Sequence, residues 1–128
     1  MLAVDTNVIV RYLTRDDAEQ FARASALIGS EDVYVCMTVL LETEWVLRRY
    51  RFSRERIIAA LAAFAGLRRV TLEDPTVAAR ALDWMRSGMD FADALHLAKA
   101  EGCEAFVSFD QRFADVANAL SEVKVRAP

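Results

Sequence analysis

The chain has 128 residues, of which 55% are hydrophobic and 27% are charged. This length suits one domain, and this composition belongs to globular proteins with a buried core, which excludes disordered and fibrous classes. The longest run without charge, residues 57–67, is too short to cross a bilayer, and we expect no signal peptide. Cys36 and Cys103 lie far apart in the sequence, so we expect buried thiols in a reducing cytoplasm. From the length we expect a single domain over residues 1–128.

The net charge of −3 excludes a protein that coats nucleic acid through bulk positive charge, but not one with a local basic strip. Fourteen of the sixteen basic residues are arginines, and five of them fall within residues 48–56. Arginine binds phosphates and carboxylates through a planar fork of donors. The segment is interpreted either as a solvated helix end and turn or as a surface that holds phosphates.

Apolar and β-branched runs alternate with stretches of helical spacing along the chain. We expect short strands at residues 2–4, 33–36, 70–72, 105–108 and 123–125. We expect helices at residues 8–13, 17–28, 38–50, 53–66, 74–87, 90–102 and 111–120. Strands separated by helices need crossover connections, which favours a parallel sheet with helices on both faces. In such sheets ligands bind at the carboxyl ends of the strands.

Acidic residues gather near these predicted strand ends. Asp5 ends the first strand, and Asp110 follows the fourth. Asp90 and Asp93 open the helix before the fourth strand, and Glu42 lies in the helix after the second. Taken singly, Asp5, Asp90 and Asp110 also suit the N-caps of the helices that follow them.

The spacing of two glutamates on the third helix distinguishes them. Glu44 has Arg48 four residues on, in the favourable order for a surface ion pair. Glu42 points about 200° away and has no basic residue three or four positions along, so we expect an uncompensated carboxylate on an apolar stripe. Asp93 poses the same problem, because its helical neighbours are Asp90 and His96.

Carboxylates that converge raise one another's pKa and destabilise a fold unless a cation lies between them. Oxygen ligands are those that Mg²⁺ and Mn²⁺ prefer, whereas one histidine and two scattered cysteines make a zinc site unfavourable. Such an ion typically activates water against a phosphodiester. The residues alone therefore predict metal-dependent phosphoryl chemistry.

Four segments carry a resemblance to a known family. LAVDTNVIVRYL, TVLLETEWVLRR, DFADALHLAKAEGC and FVSFDQRF resemble, in order, the successive motifs of PIN-domain nucleases, and most closely those of VapC-type toxins of bacterial toxin–antitoxin pairs. The resemblance implies a three-layer α/β/α sandwich with a central five-stranded parallel sheet. It also implies an Mg²⁺- or Mn²⁺-dependent endoribonuclease that cleaves structured RNA of the tRNA or rRNA class, forms a homodimer and is covered by a VapB-type antitoxin.

The resemblance also assigns roles to individual residues. It implies a metal-binding and catalytic set of acids that consists of Asp5, Glu42, Asp93 and Asp110. Asp90 is implied as a further metal ligand, directly or through water, with Asn7 and Ser108 as supporting polar residues. His96 stands where an aliphatic residue is usual, and we expect a partly buried helix residue there. The candidates to hold RNA phosphates are Arg11, Arg15, Arg48, Arg49 and Arg112.

Other classes fit less well. A receiver-like phospho-acceptor domain needs an acceptor Asp at the end of the third strand and a late Lys, and this chain does not match that pattern. A dehalogenase-type phosphatase needs D-x-D, whereas this chain has Asp5-Thr6-Asn7. A nucleotide-binding domain needs a glycine-rich loop after the first strand, and this chain has none there. The alternative that remains is a non-catalytic RNA- or protein-interaction module on the same fold.

The apolar content leaves one further question open. Trp45, Trp84 and the helix over residues 57–67 indicate either an interface or a large core.

Overall fold

The computed structural model describes residues 1–128. The chain divides into two units, Met1–Pro75 and Thr76–Pro128, and each has its own helices and its own parallel strands. The result is a mixed α/β structure with seven helices. The single domain that length and composition predict stays a prediction.

The first unit contains a three-stranded parallel sheet in the order β1-β2-β3. Its strands are β1 (Leu2–Ala3), β2 (Val33–Val35) and β3 (Val70–Leu72). The helices between them are α1 (Thr6–Thr14), α2 (Ala18–Ser30), α3 (Met37–Arg49) and α4 (Arg54–Ala65). The helical crossovers between these strands produce the parallel pairing that the sequence predicted.

The second unit pairs two strands in parallel. After α5 (Pro75–Arg86) and α6 (Phe91–Lys99) come β4 (Phe106–Val107), α7 (Gln111–Leu120) and β5 (Val125–Arg126). Asn118 fixes β5, because its side chain both donates to the Val125 carbonyl and accepts from the Val125 amide at 2.9 Å. The strands thus pair as three plus two, and hydrogen bonding does not show the five-stranded central sheet that was expected.

Short polar side chains set where most helices begin. Each accepts a hydrogen bond from a backbone N–H that the first turn leaves unpaired, and the capping residues are Asp5, Asp17, Ser53, Asp90 and Asp110. The C-terminal ends of two helices differ from expectation by two residues or more. The helix α2 continues through Gly29 to Ser30, and α6 ends three residues before Gly102. Glycine is therefore a weaker stop signal here than the sequence suggested.

The apolar helix α4 belongs to the core of the first unit. Its side chains at Ile57, Ile58, Leu61 and Phe64 are buried, and the Phe64 ring lies 6.0 Å from that of Tyr12. The four buried side chains of the run over residues 57–67 therefore belong to the core. No helix of the structure is both long enough and apolar enough to span a membrane.

Three surface positions differ from what the sequence predicted. Both thiols were expected to be buried, but Cys103 is exposed and Cys36 is partly exposed. His96 lies on the exposed face of α6, where a partly buried residue was predicted. His96 lies between the buried Leu95 and Leu97, and a mixed pattern of this kind does not reveal which neighbour faces solvent.

Candidate active site

Asp5 stands where β1 ends and α1 begins. Its Oδ1 atom accepts a hydrogen bond of 2.8 Å from the backbone N–H of Thr6, which confirms that Asp5 caps α1. The side chain is exposed, and its other carboxylate oxygen, Oδ2, accepts no hydrogen bond within the protein. The cap therefore uses one oxygen and leaves the second available to a ligand.

Thr6 links this strand end to α3. Its hydroxyl donates a hydrogen bond of 2.5 Å to Oε1 of Glu42, although the two residues are 36 positions apart. Thr6 is buried, so the bond holds the exposed Glu42 carboxylate beside the start of α1. Glu42 therefore lies beside Thr6, the residue that follows Asp5 in the chain. Thr6 is a site residue that the sequence reasoning missed, and its hydroxyl beside the Asp5 carboxylate was the available signal.

The two glutamates of α3 lie on the faces opposite to those predicted: Glu44 is buried and Glu42 is exposed. Glu44 is only 1% exposed and lies on the buried face, whereas Glu42 is on the exposed face and not on an apolar stripe. The predicted pair with Arg48 is present at 3.2 Å, so the pairing is confirmed and the surface location of Glu44 is wrong. A buried carboxylate needs such a partner, because desolvation makes an unpaired charge very costly.

Three acids of the second unit form one electrostatic cluster. Asp90 caps α6 through the N–H of Asp93, and Asp110 caps α7 through the N–H of Phe113 at 3.0 Å. Burial raises the pKa of Asp93, and the Asp90 and Asp110 carboxylates raise it further, while His96 acts in the opposite sense. Like charges close to a partly buried carboxylate produce this direction of shift.

Ser108 supports this cluster through the backbone. Its hydroxyl accepts a hydrogen bond of 3.0 Å from the N–H of Asp110, which is the cap of α7. The interaction fixes the chain where β4 leads into Asp110. A supporting role for Ser108 is thus consistent with its position.

The chemistry of the donor set is that of a hard divalent cation. The predicted ligands offer only carboxylate oxygens, and the ionised form of Asp93 is destabilised by burial and then by neighbouring negative charge. A cation near these oxygens would remove that destabilisation, so the residues fit Mg²⁺ or Mn²⁺. No group of three or more His, Cys, Asp or Glu side chains is already arranged as an ion site.

The arginines expected to hold phosphates have different environments. Arg11 donates to Asp16, Gln20 and the Tyr50 hydroxyl, which leaves its Nη2 without a protein partner. Arg48 is engaged by the buried Glu44. The remaining candidates are more open: Arg15 and Arg49 lie over aromatic rings, and Arg112 is exposed in the first turn of α7.

A groove of about 440 Å³ lies between α1 and α2 in the first unit. Asn7, Arg11, Gln20 and Arg23 supply its polar lining, and Val8 and Leu27 part of its apolar lining. Asn7 is exposed two residues after Asp5, so the groove begins close to that acid.

One comparison assigns the chain to a family. The family model described as PIN domain matches residues 2–119. PIN domains are generally nucleases, and those nucleases typically use divalent metals. No curated protein sequence matches the chain. Because the family model covers nearly the whole length, the chain belongs to the PIN domain family.

Proposed function

We propose that this protein is an Mg²⁺- or Mn²⁺-dependent endoribonuclease that hydrolyses phosphodiester bonds in structured RNA of the tRNA or rRNA class. The observation that carries the proposal is the acid cluster around Asp93. Its carboxylate is partly buried among Asp90 and Asp110, and no arginine or lysine contributes to its pKa. Such a cluster of acids suits a PIN domain, because PIN domains are generally nucleases and typically use divalent metals.

The metal ligands in this proposal are the acids near the starts of α1, α6 and α7, and the exposed acid of α3. They are Asp5, Glu42, Asp93 and Asp110, with Asp90 acting directly or through water. A divalent ion supplies positive charge at the phosphate and lowers the pKa of water.

The other residues hold the acids and the substrate in position. Thr6 fixes the rotamer of Glu42 through its hydroxyl, and Ser108 fixes the backbone at Asp110. Asn7 offers an exposed amide near Asp5, where it would donate to a phosphate or ribose oxygen. Arg11, Arg15, Arg49 and Arg112 provide guanidinium groups for phosphates, whereas Arg48 serves mainly to neutralise Glu44.

The biological role in this proposal is that of a VapC-type toxin in the cytoplasm, a homodimer with a VapB-type antitoxin as its partner. The four motifs quoted above support it, and the same resemblance favours the family's three-layer sandwich with five parallel strands. The neighbouring reading frame provides a direct test. A small DNA-binding protein encoded beside this chain is expected, and its absence would count against the toxin role.

Cleavage assays with matched variants test the enzymatic proposal. The purified protein should cut structured RNA with Mg²⁺ or Mn²⁺, and EDTA should abolish cutting. Asp5→Asn and Asp93→Asn should each lower the cleavage rate at least 100-fold, the order of loss expected when a group that stabilises the transition state is removed. Asp83→Asn is the control, because Asp83 is an exposed acid of α5 that pairs with Arg86.

Two results would contradict the proposal. If the protein binds RNA but leaves it intact with either metal, it is a non-catalytic interaction module. If the Asp83→Asn variant loses as much activity as Asp93→Asn, the loss reflects general charge and not a metal site.

A further inference from the structure

The exposed face of α3 carries a tryptophan one turn from Glu42. Glu42, Trp45 and Arg49 occupy positions i, i+3 and i+7, so they follow one another along the same face of the helix. All three are exposed, on the side away from the buried Leu40, Thr43, Glu44 and Leu47. Trp45 is 47% exposed, and an indole that remains in water to this degree forgoes a large hydrophobic gain. Core packing therefore does not explain this tryptophan.

Arg49 lies over the Trp45 ring. Its guanidinium carbon is 4.7 Å from the ring centroid, within the range of a cation–π interaction. Arg49 forms no ion pair, so its charge is not neutralised by a protein carboxylate. A planar aromatic surface and an unneutralised guanidinium thus lie together beside a proposed catalytic acid.

A second set of the same kind follows where α3 ends. The exposed Tyr50 ring stacks on that of Phe52 at 6.4 Å, and Arg56 covers the Phe52 ring at 4.9 Å. The Tyr50 hydroxyl also accepts a hydrogen bond of 3.4 Å from Arg11, which lines the groove between α1 and α2. Aromatic rings and guanidinium groups therefore continue from α3 towards that groove.

We propose that Trp45 and Arg49 form a stacking site for unpaired RNA nucleotides beside the cleaved bond, and that Tyr50, Phe52 and Arg56 extend it. The proposal rests on the proposed function and names where its substrate is held. Unpaired bases stack on aromatic rings and guanidinium planes, while arginine charges attract the phosphates between them.

Charge favours a polyanion over a protein as the occupant. Residues 48–56 contain five arginines against the single acid Glu55, and four of these arginines remain once Arg48 is paired with Glu44, whereas the whole chain carries a net charge of −3. A second copy of this chain would bring the same positive segment against itself if the two patches met directly. RNA supplies both the negative charge and the flat bases that this surface lacks.

Binding measured in EDTA, where cleavage is not expected, tests the site. Trp84→Phe leaves Trp45 as the only tryptophan, so its fluorescence reports directly on stacking. A short oligouridylate should quench that fluorescence. In the anisotropy of labelled oligouridylate, Trp45→Leu should weaken binding about tenfold, the effect expected for loss of one stacked base, and Trp45→Phe should retain most of it.

The arginine variants separate stacking from charge. Arg49→Lys keeps the charge but loses the planar group, so it should bind less well than the native protein and better than Arg49→Ala. Arg86→Ala is the matched control, because it removes one positive charge from the exposed surface of α5 and should leave binding unchanged. The anisotropy series in the native background gives the same comparison if Trp84→Phe does not fold.

Three results would overturn the stacking site. The first is unchanged oligouridylate binding by Trp45→Leu, even if the protein cleaves RNA with metal. The second is a larger loss for an RNA duplex than for oligouridylate. The third is loss of self-association by Trp45→Leu without any change in RNA affinity. Conversely, weaker binding by Trp45→Leu in a protein that cleaves no RNA would support the stacking site and contradict the nuclease proposal.

Discussion

Glu44 and Asp93 are both carboxylates removed from full solvent exposure, but the structure treats them in opposite ways. Glu44 is buried on α3, and Arg48 on the next turn lies 3.2 Å from it. Asp93 is partly buried at the start of α6, and the nearby charges that act on its pKa are mainly the carboxylates of Asp90 and Asp110. Both carboxylates are at least partly buried, so burial alone does not distinguish a structural acid from a candidate metal ligand.

The sign of the surrounding charge is what distinguishes the two acids. A carboxylate with a cation beside it is stable as it stands and contributes to a single native structure. A carboxylate among like charges is stabilised when a proton or a cation binds to it, as expected of a metal ligand. Removing the cation beside Glu44 should therefore lower the free energy of unfolding, whereas adding a cation beside Asp93 should raise it.

The largest effect is expected at the paired acid. Arg48→Ala should lower the free energy of unfolding by about 3 kcal/mol, because it removes the cation beside a buried carboxylate. Denaturant unfolding measures the change. Arg86→Ala is again the control, and loss of its exposed pair with Asp83 should cost less than about 1 kcal/mol. Equal losses for the two variants would mean that Glu44 is not a buried charge in solution.

A metal should stabilise the other acid cluster. With free Mg²⁺ or Mn²⁺ at about 100 times its dissociation constant, the free energy of unfolding should rise by about 2.7 kcal/mol, provided that the unfolded chain does not bind the ion. Thermal unfolding with and without EDTA measures this shift. The shift should be lost in Asp93→Asn and kept in Arg86→Ala. An equal shift in both variants would mean that the ion binds elsewhere.

The sequence predicted local features of both regions well. The caps at Asp5, Asp90 and Asp110 and the pairing of Glu44 with Arg48 depend on residues within one helical turn, so spacing was sufficient to identify them. The three strands of the first unit were also found, since short apolar runs between helices leave few alternatives.

The buried face of α3 was not predictable, for a physical reason. Leucine, valine or tryptophan occurs on every side of this helix, so hydrophobic periodicity does not select one face, and Glu44 turned out to lie on the buried one. Features that join distant parts of a unit were missed as well. The bond from Thr6 to Glu42 spans 36 positions, and the pairing of strands as three plus two depends on hydrogen bonds that spacing does not reveal.

The smallest effect, and the one with a diagnostic sign, concerns Asp93 in the metal-free protein. Its pKa is raised in the folded state, so folding favours the protonated form, and ionisation costs stability. This cost is absent below the ordinary pKa of an aspartate, about 3.9, and grows as the pH rises through the raised pKa, after which it stays constant. In EDTA at neutral pH, Asp93→Asn should therefore unfold at the same temperature as the native protein or higher, and the difference should shrink when the pH is lowered towards 4. Asp115→Asn, which removes an exposed carboxylate from α7, is the matched control. A melting temperature for Asp93→Asn clearly below that of the native protein at neutral pH would show that the Asp93 carboxylate stabilises the fold, which would place it with Glu44 and not with the ligands.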